Sequence, residues 1–246
     1  MQRRSTLLAA AAFALMAGAP AIAADAIPAY VNAAIADAAR PQDNKDLDAA
    51  RKPAAMMAFA GVKPGDKVVE FWPGGGYVTR LVSKIAGPSG KVYSLNAPTF
   101  PQGLKDRPKA VTENAAYSNV TLLEQPFDAI KIPEAVDVAW TSENYHDFQN
   151  MGPFRADTAQ MNKAVFAALK PGGLYIITDY EGAAGTGKTQ TQALHRIDPA
   201  IIKAEVAAAG FILEAESNAL KNADDKMTER SRQGSTQVFY KFRKPR

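Results

Sequence analysis

The side chains able to hold a ligand or move a proton gather at a few places along the chain. Glu70-Phe71-Trp72-Pro73-Gly74-Gly75-Gly76-Tyr77 sets an acid at the end of a β-branched run, then a glycine cluster that opens a helical stretch. Glycines without Cβ atoms let the backbone lie against a nucleotide-like ligand. Glu143-Asn144-Tyr145-His146-Asp147 follows a later apolar run and joins two acids, a tyrosine and a histidine. Such a group can orient a substrate and accept its proton, and histidine titrates near neutral pH. Tyr145, His146 and Asp147 are therefore the catalytic candidates, with His146 or Asp147 as general base. His195 and Arg196, with Glu143 and Asp179, are candidate substrate contacts. Asp198, just before Pro199, reads as a helix N-cap. The chain has 2 histidines, which with Asp147 or Asp179 could instead ligate a metal. No metal-site spacing recurs on one element, so no metal is expected.

The elements that must position these residues alternate. Strands are predicted over residues 67–71, 91–95, 120–123, 136–140, 174–178, 211–216 and 237–242, from β-branched or apolar runs bounded by turn residues. Helices are predicted over 77–86, 158–169 and 199–209, and two more, 28–39 and 46–60, precede the first strand. Residues 96–108 read as irregular, and Lys170-Pro171-Gly172-Gly173 as a turn. Alternation of this kind predicts a mostly parallel α/β sheet with helices on both faces. The last two strands are joined by a polar stretch without a helix, so they should pair antiparallel. In an open parallel sheet the ligand crevice lies at the strands' carboxyl ends, where both candidate loops fall.

Gly182 to Thr189 matches the phosphate-loop pattern G-x-x-x-x-G-K-[ST]. A phosphate loop follows the first strand of its domain, and this segment follows the fifth. It reads as a glycine-rich lid over the crevice.

Composition sets the remaining bounds. With 246 residues, 47% hydrophobic and 22% charged, the chain suits one packed α/β domain. The absence of cysteine excludes disulfides and thiolate chemistry. Arg3 and Arg4, an apolar run from Leu7 to Met16 and Ala21-Ile22-Ala23 form an export signal over residues 1–23. Residues 24–60 then read as a helical extension and 61–246 as the main domain. The expected location is the periplasm, by either the general or the twin-arginine route. The net charge of +4 falls to +2 once Arg3 and Arg4 are removed, a balance that points to neither nucleic acid nor membrane as partner. A small molecule is the expected substrate, and the oligomeric state stays open.

Glu70 to Tyr77 resembles the first motif of class I S-adenosylmethionine-dependent methyltransferases, acid-x-Gly-x-Gly-x-Gly. Leu169 to Leu174 resembles the turn before that family's fifth strand. Trp72 to Tyr77, Asn144 to Asp147 and His195 to Asp198 together resemble a group of exported bacterial "predicted methyltransferases". The resemblance implies a Rossmann-like, seven-stranded sheet with one antiparallel strand, and S-adenosylmethionine as cofactor. It places that cofactor against Glu70, Trp72, Pro73, Gly74, Gly75, Gly76, Tyr77 and Asn96. Two positions depart from the family. Trp72 replaces the first glycine, and Asn96 replaces the acid that binds the ribose hydroxyls. The implied activity is methyl transfer to a small molecule; the alternative is an exported binding protein that keeps the fold without the reaction.

Overall fold

A computed structural model describes residues 27–246; the expected export signal, residues 1–23, lies outside the described residues. Among these, β1 (Lys67–Phe71), β2 (Lys91–Asn96), β3 (Val120–Glu124), β4 (Val136–Ser142), β5 (Leu169–Tyr180), β6 (Ile212–Glu216) and β7 (Gln237–Arg243) form one sheet. Their order in space is β3-β2-β1-β4-β5-β7-β6. The pairs from β3 to β5 are parallel, and β7 runs antiparallel to both β5 and β6. The expected seven-stranded α/β sheet with one reversed strand is the observed one.

Helices α1 (Ala29–Ile35), α2 (Gln42–Lys45), α3 (Asp48–Arg51) and α4 (Pro53–Ala60) precede the sheet. Helix α5 (Tyr77–Ala86) links β1 to β2, and α6 (Gln102–Lys105) and α7 (Lys109–Thr112) lie between β2 and β3. Helices α8 (Tyr145–Phe148) and α9 (Thr158–Ala168) follow β4, while α10 (Thr191–Leu194) and α11 (Pro199–Ala208) follow β5.

Parallel strands covered on both faces are apolar on both sides, and β1 shows the result. Val69 and Phe71 enter one core with Phe148, Val165 and Val206. Val68 enters the other, with Leu81 of α5 and Val31 of α1. The two-residue strand period puts Glu70 in step with Val68. Its carboxylate therefore faces α5, where the Thr79 hydroxyl donates to it at 2.6 Å.

Several elements differ from expectation, among them the helix predicted over 28–39, which ends at Ile35. The helix predicted over 46–60 breaks at Lys52, which adopts a left-handed φ of 46°. The residue before a proline is pushed out of the helical region, and Pro53 follows Lys52. The turn Lys170 to Gly173 lies inside β5 as a bulge. Leu169 pairs with Val136 and Leu174 with Val138, so the residues between loop out. Residues 96–108, expected to be irregular, contain α6. Among the described residues, no helix is long and apolar enough to cross a membrane.

Candidate functional site

The strand order turns back between β1 and β4, and the loops leaving their carboxyl ends frame a cleft of about 540 Å³. Trp72, Pro73, Gly74 and Gly75 form one wall, and Ser142, Glu143 and Asn144 another. Asn144 joins the walls: its amide donates to the carbonyls of Phe71 and Trp72, at 3.2 and 3.0 Å. Asp43, Asn44, Leu47 and Arg51 of the N-terminal helices close the cleft from above. That roof is tied down by charge. Arg51 pairs with Glu143, and Asp48 accepts from the Tyr77 hydroxyl at 2.7 Å while also holding buried Arg40.

The cleft presents both signs of charge at close quarters. Arg51, Arg80 and Arg107 line it together with Asp43, Glu70 and Glu143. The Nε atoms of Arg51 and Arg80 are buried without a hydrogen-bond partner, so the protein does not fully satisfy either guanidinium. The glycines divide by role. A Cβ on Gly75 would meet nothing within 4 Å, so this backbone lies open to a ligand. A Cβ on Gly76, where φ is +79°, would fall 2.4 Å from a Val111 methyl, so Gly76 serves packing.

Burial pushes the Glu70 carboxyl up to about 7, against the opposing pull of Thr79, Arg51 and Arg80. The folded protein thus favours the protonated acid. Ionisation costs nothing below about pH 4.5, grows through the interval to 7 and is complete above it. A shift of this size corresponds to about 3 kcal/mol. Glu70→Gln cannot ionise, so its stability relative to the parent should rise by most of that amount between pH 5 and pH 8. Urea midpoints at the two pH values measure this, and a pH-independent difference would show that Glu70 is ionised in the fold throughout.

The second cluster lies behind the β4 wall. His146 is 1% exposed, with Nδ1 2.7 Å from Asp179 Oδ1 and Nε2 3.0 Å from His195 Nδ1. Asp179 also accepts the backbone N–H groups of His146 and Tyr180, at 2.6 and 2.8 Å. Burial opposes an imidazolium at His146, but the carboxylates of Asp179, Asp147 and Glu143 raise it above its ordinary range. His195 is pushed down to about 4 by burial and by the charge of His146 and Arg230. Burial also raises the Asp147 carboxyl.

Solved structures resemble this arrangement of strands and helices over most of its length. An S-adenosylmethionine-dependent methyltransferase from Aquifex aeolicus superposes with a TM-score of 0.59 at 17% identity, covering 83% of this chain and 98% of that one. The chain has the class I methyltransferase fold. In sequence, it is 35% identical over 71 residues to the protein-L-isoaspartate O-methyltransferase of Ignicoccus hospitalis, covering 28% of this chain and 32% of the relative. It is 29% identical over 117 residues to protein-L-isoaspartate O-methyltransferase 2 of Archaeoglobus fulgidus, covering 43% of this chain and 52% of the relative. The chain thus spans about a third to a half of the length of these curated relatives. No family profile matches it.

Within the methyltransferase fold, the structure brings together Glu70, Trp72, Pro73, Gly74, Gly75, Tyr77 and Glu143 around the cleft. Trp72 answers the first departure from the family motif. It keeps a left-handed φ of 48°, the conformation for which glycine is suited. Its indole packs on Phe100 and Phe154, with centroids at 4.6 and 4.9 Å.

Other expected site residues lie elsewhere. Asn96 is fully buried, and its amide donates to the Leu104 carbonyl at 3.4 Å, because α6 folds over the end of β2. Tyr145 lies in the core, where its hydroxyl donates to Glu205 at 2.8 Å and accepts from Asn162 at 2.8 Å. Arg196 turns its guanidinium to Asp225, Ser235 and the Glu181 and Glu229 carbonyls, away from the residues that line the cleft. His146, Asp147, Asp179 and His195 cluster as expected, but none lines the cleft. Asp198 does cap α11 through the Ala200 N–H. The same carboxylate accepts from the N–H groups of Gly185 and Gly187, at 2.7 and 3.2 Å. The phosphate-loop look-alike therefore cradles its own carboxylate and is pinned away from the cleft, which corrects its reading as a lid.

The sequence reading missed Asp43, Asn44, Leu47, Arg51, Arg80 and Arg107. Arg80 had a signal, lying one turn into the helix that the glycine loop opens. The others arrive through tertiary packing.

Proposed function

We propose that this protein is an S-adenosylmethionine-dependent methyltransferase acting on a small molecule. The observation that carries the reading is the cleft at the β1/β4 switch point, where Gly75 faces open space beside a ring of opposed charges. S-adenosylmethionine supplies an electrophilic methyl group on a sulfonium. Gly74 and Gly75 would admit its nucleoside part, while Arg51 and Arg80 suit the carboxylate of its amino-acid end. The two archaeal relatives are methyltransferases by name, which supports the same reaction class.

His146 is enclosed and Asp147 lies off the cleft, so positioning rather than proton abstraction by this pair carries the rate enhancement. The roof of α2 and α3, pinned through Arg51 and Glu143, narrows the cleft and favours a compact acceptor. Export through residues 1–23 belongs to the proposal and rests on the sequence alone.

Titration calorimetry of the full chain with S-adenosylmethionine and S-adenosylhomocysteine is the test. One saturable site per chain for both ligands is expected, and absence of binding rejects the proposal. Binding with no methyl transfer to any acceptor in a small-molecule panel would favour the non-catalytic binding protein.

A further inference from the structure

We infer that His146, Asp147 and His195 form a binding site for a divalent transition-metal ion of the zinc type, distinct from the cleft. Three donor atoms converge there. His146 Nε2 and His195 Nδ1 are 3.0 Å apart, and Asp147 Oδ1 lies 3.4 Å from the first and 3.5 Å from the second. With metal–ligand bonds of about 2.0–2.1 Å, neighbouring donors of a tetrahedral site stand about 3.3–3.4 Å apart. The triangle already has that size. Its two carboxylate edges are too long for good hydrogen bonds to either ring. Yet Asp147 is held in place, nearly buried, with Asn150 donating to the same oxygen at 3.0 Å.

The surroundings support the donors. Metal-bound histidines commonly give their second ring nitrogen to a carboxylate, which fixes the tautomer and the ring plane. Asp179 holds His146 Nδ1 in this way and is itself fixed by two backbone N–H groups. His195 points inward from a left-handed backbone, φ 49° and ψ 50°, a conformation that is unfavourable outside glycine and concentrates at functional sites. Two imidazoles and one carboxylate favour zinc-type ions over magnesium or calcium, which prefer oxygen ligands. Three protein ligands leave a fourth position, and the partly exposed His195 side chain puts it near solvent.

Proton placement is specific. Arg230 donates to His195 Nε2 at 2.6 Å, which leaves the His195 proton on Nδ1. Metal binding needs that Nδ1 lone pair. The proton moves to Nε2 of the same ring as the exposed Arg230 guanidinium withdraws, and His146 binds through an unprotonated Nε2. The charge of the ion is met by Asp147 and Asp179. Bound there, it would clamp the loop after β4 to the segment after α10.

This inference does not depend on the methyltransferase reading, because its readout is metal binding without a methyl donor. Chelator-treated full-length protein is titrated with Co2+, followed by visible absorption, and with Zn2+ by calorimetry. One Co2+ per chain with a tetrahedral spectrum, displaced by Zn2+, is expected. His195→Asn, which tolerates the left-handed backbone, should weaken Zn2+ binding by roughly 100-fold or more, and Asp179→Asn by roughly 10- to 100-fold. Arg230→Ala should tighten it. Lack of saturable binding of either ion, or equal affinity in His195→Asn, overturns the site.

Discussion

Gly75→Val is expected to reduce S-adenosylmethionine affinity by about 100-fold or more, about 2.8 kcal/mol, while leaving the urea midpoint unchanged. Both halves of that expectation come from the geometry of one residue. Gly75 has no positive φ to forbid a side chain, and its Cβ position has no neighbour within 4 Å. The fold can therefore accept the valine, whose branched side chain would occupy space that the cleft offers a ligand. Gly76 provides the contrast. With φ at +79° and Val111 2.4 Å from its Cβ position, Gly76→Ala should destabilise the fold by about 1–3 kcal/mol. Calorimetry and urea unfolding on the two variants separate a ligand-facing glycine from a packing one. Unimpaired binding in a folded Gly75→Val protein would mean that the ligand sits elsewhere.

The same loop shows why the fold was legible from the sequence and much of the site was not. β1 and α5 are encoded locally, by a β-branched run, a glycine cluster and an amphipathic helix. Their observed ends, Lys67–Phe71 and Tyr77–Ala86, match the predicted ones. The order of the strands follows from connection rules that act between neighbours in sequence. Asn96 was assigned to the ribose by its place after β2, and no local pattern announced that α6 would fold over it. Arg51 reaches the cleft from outside the motif-bearing region, through an ion pair with Glu143 that spans 92 positions in sequence. The histidine cluster was half legible. Both histidines follow strands of the parallel sheet, His146 after β4 and His195 after β5, which brings them to the same end of it. Their contact through Nε2 and Nδ1, and their separation from the cleft, depend on side-chain directions that spacing does not encode.

Arg196→Met should lower stability by about 3–5 kcal/mol, the cost expected when one partner of a buried, hydrogen-bonded ion pair is removed. Arg196 is 1% exposed. Its Nη2 donates to both oxygens of Asp225, at 3.0 and 2.9 Å, and Nε and Nη1 satisfy the carbonyls of Glu229 and Glu181. Asp225 in turn accepts the backbone N–H groups of Met227 and Thr236. One guanidinium thus organises the polar stretch between β6 and β7, which has no helix or strand of its own. Methionine fills comparable volume but takes the charged partner from Asp225 and leaves two carbonyls without their donor. A pH signature accompanies the loss. Burial works against the Asp225 carboxylate, but the two backbone donors and Arg196 outweigh it and hold the acid below its ordinary range. The stabilisation is then complete above the ordinary aspartate range and fades as pH falls through the depressed value. Arg196→Met should lose part of that acid sensitivity, so the gap between variant and parent should narrow at low pH. Urea midpoints measured from neutral pH down to the acid limit of folding report both effects. Unchanged stability together with altered substrate turnover would instead return Arg196 to the ligand contacts, and the segment between β6 and β7 would need another anchor.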